Sequence, residues 1–332
     1  VSQFRKDPIT GRWVIIASER SQRPRQLGPS NQRADAEPCP FCPGNETMTP
    51  PELWAARSAG SAADRPGWTV RVVPNKYPAL APGNGRNHVA DTLYQSRAGI
   101  GAHEVIIESP NHDVSWAQLD ESQCAEIGRA YLTRLRALGR DRRWRYALLY
   151  KNQGDSAGAT LEHVHSQLIA MPTMPQAARQ ELKRAREYYQ ASGRCLYCAV
   201  IARELERRER VIFEHDRFIA CCPFAPRFAY EAWLLPKTHM AAFIDSSEDV
   251  IESFSRALRE ILTRLKVALG DPPFNFYLHS LPLDHGAAPC YHWQLRILPQ
   301  LARAAGFEWA SGAHINPVAP EAAAATLRDA LA

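Results

Sequence analysis

The chain has 332 residues, 45% hydrophobic and 23% charged, with a formal net charge of +5; at roughly 150 residues per domain this length suits two globular units. Its apolar runs, such as Val105-Ile106-Ile107 after Glu104 and Ala147-Leu148-Leu149-Tyr150, are strand-sized and far short of the ~20 residues that cross a bilayer. The opening Val1 to Asp7 lacks the apolar stretch of a signal peptide, and the basic stretches Arg140–Arg145 and Arg203–Arg210 are interrupted, which argues against a nucleic-acid patch. A cytoplasmic protein with neither membrane nor nucleic-acid partners is expected.

In chain order, Trp13–Ala17 reads as a strand, Arg23–Pro38 as a loop, Thr69–Val73 as a strand, Leu80–Arg97 as a loop and Glu104–Glu108 as a strand. Leu119–Leu138 carries apolar residues at helical spacing. Tyr146–Tyr150 is a further strand, and His163–Pro172 alternates to a closing proline as a strand with one covered face. The second half repeats the order. Val211–Phe213 and Phe218–Ala220 form a hairpin, Tyr230–Leu235 a strand, Val250–Leu269 a long amphipathic helix and His292–Pro299 another His-containing strand. An α+β fold of two related repeats follows, mostly antiparallel sheets flanked by helices, with halves at 1–180 and 181–332 joined near 172–190.

Of eight cysteines, four form the pairs Cys39-Pro40-Phe41-Cys42 and Cys195-Leu196-Tyr197-Cys198, one in each half. Cys124, Cys221, Cys222 and Cys290 read as buried apolar residues. A tetrahedral structural zinc takes two Cys from such a pair and two His. His112 and His163 are the candidates for the first pair, His239 and His292 for the second. Two zinc ions per chain, each clipping sheet strands together, are therefore expected; core cysteines near turns are the plainer alternative.

The segment from Asn152 to Gln167 is the most informative. A strand ends at Lys151, a small-residue loop follows, and His163 and His165 point to one face of the next strand. Glycines let backbone N–H groups approach a phosphate, and Ser156 and Thr160 can donate hydroxyls. A neutral imidazole at such a cradle can attack the α-phosphorus of a nucleotide, and Gln167 can bond a non-bridging oxygen. His165 as a further metal ligand is the competing assignment.

With these motifs, the chain resembles the galactose-1-phosphate uridylyltransferases, a branch of the histidine-triad superfamily built from two fused repeats. The likeness runs from Arg5-Lys6-Asp7-Pro8 through the Cys39–Glu46 knuckle, Ser109-Pro110-Asn111-His112 and His163-Val164-His165. It implies ping-pong transfer through a nucleotidylated His165 with Gln167 on the phosphoryl oxygens. Arg20 and Arg23 would contact substrate phosphate, Asn75 the nucleotide, and Asn152 with Gly158, Ala159 and Thr160 the phosphate loop. Homodimers are usual in the family. The chain departs from its pattern with Val164 between the histidines, and with Arg296 and Leu298 where many members carry an iron-type His-x-His. Cys195, Cys198, His239 and His292, together with the Gly306–Glu321 ending, resemble the ADP-glucose phosphorylase subgroup.

The leading expectation is uridylyl transfer between UDP-glucose and a hexose 1-phosphate such as galactose 1-phosphate. The alternative is phosphorolysis of ADP-glucose, with inorganic phosphate accepting the adenylyl group. A zinc-stabilised nucleotide-binding module without turnover, and a small hydrolase, are the minor alternatives.

Overall fold

The computed structural model describes residues 3–16, 38–83, 88–90, 93, 95–303 and 305–331. The first half contains β1 (Gln3–Lys6), β2 (Trp13–Ile16), β3 (Trp54–Arg57), β4 (Trp68–Pro74), β5 (His88–Ala90), β6 (Gln95–Arg97), β7 (Ala102–Ile107), α1 (Glu121–Gly139), β8 (Tyr146–Gln153) and β9 (His165–Met171). Two helices follow, α2 (Gln176–Ser192) and α3 (Leu196–Arg207). The second half continues with β10 (Val211–Glu214), β11 (Phe218–Cys221), β12 (Ala232–Pro236), α4 (Glu248–Leu269), β13 (Phe274–His279), β14 (Gln294–Pro299), α5 (Gly306–Ser311), β15 (His314–Asn316) and α6 (Pro320–Asp329). None of the described helices is long and apolar enough to cross a membrane.

The two amphipathic helices form where expected, with local reasons for their ends. Asp120 caps α1 by accepting from the Gln123 N–H, one of the four donors that a helix start leaves unpaired. Gly270 ends α4 in the left-handed region at φ 72°, a conformation that a Cβ disfavours. Ile127, Tyr131 and Leu135 of α1 and Ile251, Phe254, Leu258 and Ile261 of α4 are buried in one core. At about 25 cal/mol per Å² of apolar area, such stripes supply most of what holds a helix to its sheet.

Among the described residues, ten strands form one sheet in the order β10-β11-β12-β14-β13-β8-β9-β7-β4-β3. The order is a mirror: β13 and β8 meet at the centre, and each half runs outward through corresponding strands. The fold is thus two repeats of matching strand order sharing a continuous antiparallel sheet. We propose that the repeat boundary lies in the link expected at 172–190, which α2 largely occupies. One sheet face packs under α1 and α4, with Val72, Ile106, Leu149 and Leu168 against them. The other face carries Phe41, Val73, Val105 and Ile107 in the first half and, in the second, residues of α2 and α3 such as Leu182 and Tyr197.

Several boundaries differ from expectation. β8 continues past Lys151 to Gln153, and the strand expected from His163 begins at His165. The reason is that His163 turns its ring to the Ser109 carbonyl and the knuckle rather than entering the ladder. The stretch 80–97, expected as loop, contains the β5–β6 hairpin.

Candidate active site and metal sites

His165 opens β9 opposite Ile107 of β7, so its side chain lies on the face away from α1. The ring is buried, and its Nδ1–H donates to the His163 carbonyl at 2.7 Å. A carbonyl only accepts, so this bond fixes the tautomer and leaves the Nε2 lone pair free. Burial, reinforced by the charge of Lys151, pushes the ring's pKa down to about 4, which keeps it neutral at pH 7. Phe41, from the first Cys-x-x-Cys knuckle, packs edge-on at a centroid distance of 5.3 Å.

Gln167, two residues on, shares that face. Its Oε1 accepts from Tyr150 Oη at 2.9 Å and from His103 Nε2 at 2.9 Å. His103 takes the Ala79 N–H at Nδ1, 3.1 Å away, which makes Nε2 the protonated nitrogen and hence a donor to Gln167. Asn75 closes the group: its N–H donates to the His103 carbonyl at 2.8 Å, and its Nδ2 lies 3.2 Å from His103 Nε2.

Beneath the strand, toward α1, lies a second polar group. Lys151 Nζ donates to Glu108 Oε2 at 2.6 Å and to the His165 carbonyl at 2.7 Å. Glu108 also accepts from Trp116 Nε1 at 2.9 Å, from Tyr131 Oη at 2.5 Å and from Ser166 Oγ. Burial pushes the Glu108 carboxyl up, but the Lys151 charge and these hydrogen bonds outweigh it and hold the pKa below the ordinary range. Both side chains of the ion pair are wholly buried. The pair ties the backbone of His165 to β7 and α1.

The loop after β8 turns at Asp155–Ala157 between two glycines, Gly154 at φ 83° and Gly158 at φ 86°. The Gly158 and Ala159 amides are engaged inside the loop, with the Asp155 and Gly154 carbonyls at 2.8 and 3.2 Å. Ser156 and Thr160 are exposed. Asn275 of β13 donates to Asn152 Oδ1 at 2.8 Å and to the Ala157 carbonyl at 2.7 Å, so the second repeat braces the loop of the first.

The eight expected metal ligands gather in two groups that could hold a metal ion: Cys39, Cys42, His112 and His163, and Cys195, Cys198, His239 and His292, each with ligand atoms within 4.8 Å of one another. His163 offers Nδ1 to the cysteines at 3.6 and 3.7 Å while Nε2–H donates to the Ser109 carbonyl at 2.7 Å. His292 repeats the arrangement, with Nδ1 3.6 Å from Cys198 Sγ and Nε2–H donating to the Pro236 carbonyl at 2.8 Å. Such outer bonds orient a ligating ring and fix its tautomer.

The repeat relation extends to the position of His165. Tyr150 pairs with Gln167 in the first half and Tyr277 with Arg296 in the second, so Arg296 corresponds to Gln167 and Gln294 to His165. The register puts Gln294, and not Arg296, at the position matching His165, because the aligned histidines are His163 and His292. Gln294, with its amide oriented to satisfy both neighbours, donates to the His292 carbonyl at 2.5 Å and accepts from Arg296 at 2.9 Å. Glu181 of α2 pairs with Arg296 through two bonds of 2.9 and 2.8 Å. Burial would raise the Glu181 pKa, but the Arg296 and His279 charges outweigh it and lower it.

Of the expected site residues, the structure brings His165, Gln167, Asn75, Asn152 and the 158–160 loop to one region of the sheet. Arg20 and Arg23 lie outside the described residues. Sequence reasoning missed His103, Tyr150, Glu108 and Lys151, which lie on neighbouring strands. The alternation of His103 with Val105 and Ile107 on the site face was the available signal for the first.

Residues 1–175 match the family model of the galactose-1-phosphate uridyl transferase N-terminal domain, and residues 100–332 match a domain of unknown function (DUF4921). Among curated proteins, an ADP-glucose phosphorylase of Arabidopsis thaliana is 34% identical over 98% of this chain and 92% of its own length. A galactose-1-phosphate uridylyltransferase of Thermotoga maritima is 26% identical over 98% of each. The crystal structure of the Arabidopsis ADP-glucose phosphorylase with bound ADP-glucose superposes with a TM-score of 0.84 over 99% of both chains. With the family model covering more than half of its length and a relative this similar along nearly all of it, the chain belongs to the galactose-1-phosphate uridylyltransferase family.

Proposed function

We propose that the chain is a nucleotidyltransferase in which His165 attacks the α-phosphorus of a nucleoside-diphosphate sugar. The observation that carries this reading is the state of the ring: neutral, held through Nδ1, and free at Nε2. A N–P bond forms as the bond from the α-phosphorus to the bridging oxygen breaks, releasing the sugar 1-phosphate. An oxygen of the acceptor phosphate then takes the nucleotidyl group and frees the ring. Gln167 Nε2 is the donor nearest in sequence for the charge that develops on the phosphoryl oxygens. With the Gly158 and Ala159 amides engaged inside the loop, the hydroxyls of Ser156 and Thr160 beside them would bind the other phosphate, with Asn75 and Asn152 on the nucleotide and Arg20 and Arg23 on phosphate.

We assign zinc to both Cys/His groups. Bonds of ~2.3 Å to sulfur and ~2.05 Å to nitrogen at a tetrahedral ion put the two ligand atoms about 3.5–3.6 Å apart. The sulfur–nitrogen distances of Cys39–His163, Cys42–His112, Cys42–His163, Cys198–His239 and Cys198–His292 run from 3.3 to 3.7 Å. When bound, zinc would supply a structural cross-link; with four protein ligands neither site keeps an open position for substrate. The eight cysteines are unpaired, which supports a reducing, cytoplasmic setting. We read the working assembly as a homodimer, for which Phe307 and Trp309, exposed on α5, offer apolar surface.

Two donor–acceptor pairs use the same first step. Transfer between UDP-glucose and a hexose 1-phosphate is the reading supported by the family model over the half that holds His165. Transfer from ADP-glucose to inorganic phosphate is favoured by the higher identity to the plant phosphorylase. Incubation with each nucleotide sugar without acceptor, followed by intact mass, separates them: a uridylyl adduct supports the first and an adenylyl adduct the second. No adduct from either would overturn covalent transfer in favour of a binding module.

A further inference from the structure

We propose that His103 is a positioning residue that sets which end of the Gln167 amide faces the substrate; the inference rests on the nucleotidyl-transfer reading above. An amide presents a donor at one end and an acceptor at the other, and the two ends are nearly equal in size. Only the –NH₂ end stabilises a phosphoryl oxygen gaining negative charge; the carbonyl end would repel it. The neighbours of Gln167 decide the orientation.

His103 is buried on β7 beside Gln167, and both of its ring nitrogens are committed. The Ala79 N–H occupies Nδ1 at 3.1 Å, so the proton sits on Nε2 and is donated to Gln167 Oε1 at 2.9 Å. Tyr150 Oη approaches the same oxygen at 2.9 Å. A hydroxyl can donate or accept, so by itself Tyr150 would tolerate either orientation of the amide. His103, its tautomer fixed by a backbone amide, cannot accept at Nε2 and therefore excludes the flipped state. The Ala79 N–H belongs to the segment that follows Asn75, whose own N–H holds the His103 carbonyl at 2.8 Å. The orientation of Gln167 is thereby tied to the loop expected to contact the nucleotide.

The test is single-turnover nucleotidylation, followed by intact mass, for wild type, His103→Phe and His103→Gln, each also in a Gln167→Ala background. His103→Phe keeps the ring's bulk but removes the donor, and should slow adduct formation on the order of 10- to 100-fold, the size expected for a hydrogen bond to a developing charge. His103→Gln carries an N–H at the reach of Nε2 and should restore most of the rate. Where Gln167 is already Ala, His103→Phe should change the rate less than about twofold, because an effect exerted through Gln167 disappears with it. A purely structural role predicts the same loss in both backgrounds. That result, or an unimpaired His103→Phe, would overturn the proposal while leaving the His165 reading intact. A wild-type chain that takes no adduct would overturn that reading and this inference with it.

Discussion

Gln294 stands in the second repeat where His165 stands in the first. Each donates to the carbonyl two residues before it, His292 for Gln294 and His163 for His165, at 2.5 and 2.7 Å. An amide has no nucleophilic lone pair of the kind a neutral imidazole offers, and Glu181 with Arg296 fills the face beside it. Intact mass should therefore show one nucleotidyl group per chain. His165→Ala should abolish it, with turnover falling on the order of 10⁴-fold or more. Gln294→His should still give a single adduct, since the position matching Gln167 is held by Arg296 in its pair with Glu181; two adducts on that variant would refute the assignment.

The Lys151–Glu108 pair should dominate the stability of the first repeat's centre. Lys151→Met strands a carboxylate in the core, and breaking a buried pair from one side costs about 3–5 kcal/mol. Chemical denaturation should show that loss, with Lys151→Met/Glu108→Gln recovering part of it. The pH dependence has a definite sign. The folded Glu108 pKa is depressed, so its contribution is fully present above the unfolded value of about 4.3 and is lost as pH falls through the lower folded value. Glu108→Gln should flatten the acid limb of the stability profile, and an unchanged limb would count against the charged pair.

The two glycines flanking Asp155–Ala157 differ in what a methyl group would meet. At Gly154, φ 83° and ψ 154° fall in a region that glycine nearly monopolises, and a Cβ would lie 2.8 Å from Pro273 Cβ. At Gly158 the nearest atom, Asn152 Nδ2, is 3.7 Å away, so only left-handed strain remains, about 1–2 kcal/mol. Gly154→Ala should lose more stability than Gly158→Ala and slow adduct formation further, because relief of the Pro273 contact displaces the loop. Denaturation midpoints and single-turnover rates would check the order.

The two metal groups should be separable. Cys39→Ser and Cys198→Ser should each remove one zinc equivalent by elemental analysis, and each should cost well over the ~1 kcal/mol typical of a point change. Only Cys39→Ser should also disable nucleotidylation, since Phe41 of that knuckle packs on the His165 ring. Loss of activity in a folded Cys198→Ser chain would show that the second site reaches the chemistry.

Local spacing was enough to place much of this protein. The Cys-x-x-Cys pairs, the histidines two residues before His165 and Gln294 and the two long helices are legible because period and ligand count are properties of short segments. Their pooling into two four-ligand groups followed from the repeated order of motifs. Family likeness, rather than spacing, supplied Asn75 and the arginines. What the chain alone did not reveal depends on which strands become neighbours. His103 meets Gln167 only because β7 lies beside β9, and Lys151 meets Glu108 only across β9 from β8. Gln294 and Arg296 became the counterparts of His165 and Gln167 only once Tyr277 and Tyr150 were seen in equivalent pairings. Antiparallel register between segments far apart in sequence is set by the summed packing of both sheet faces, and no short stretch of sequence contains that sum.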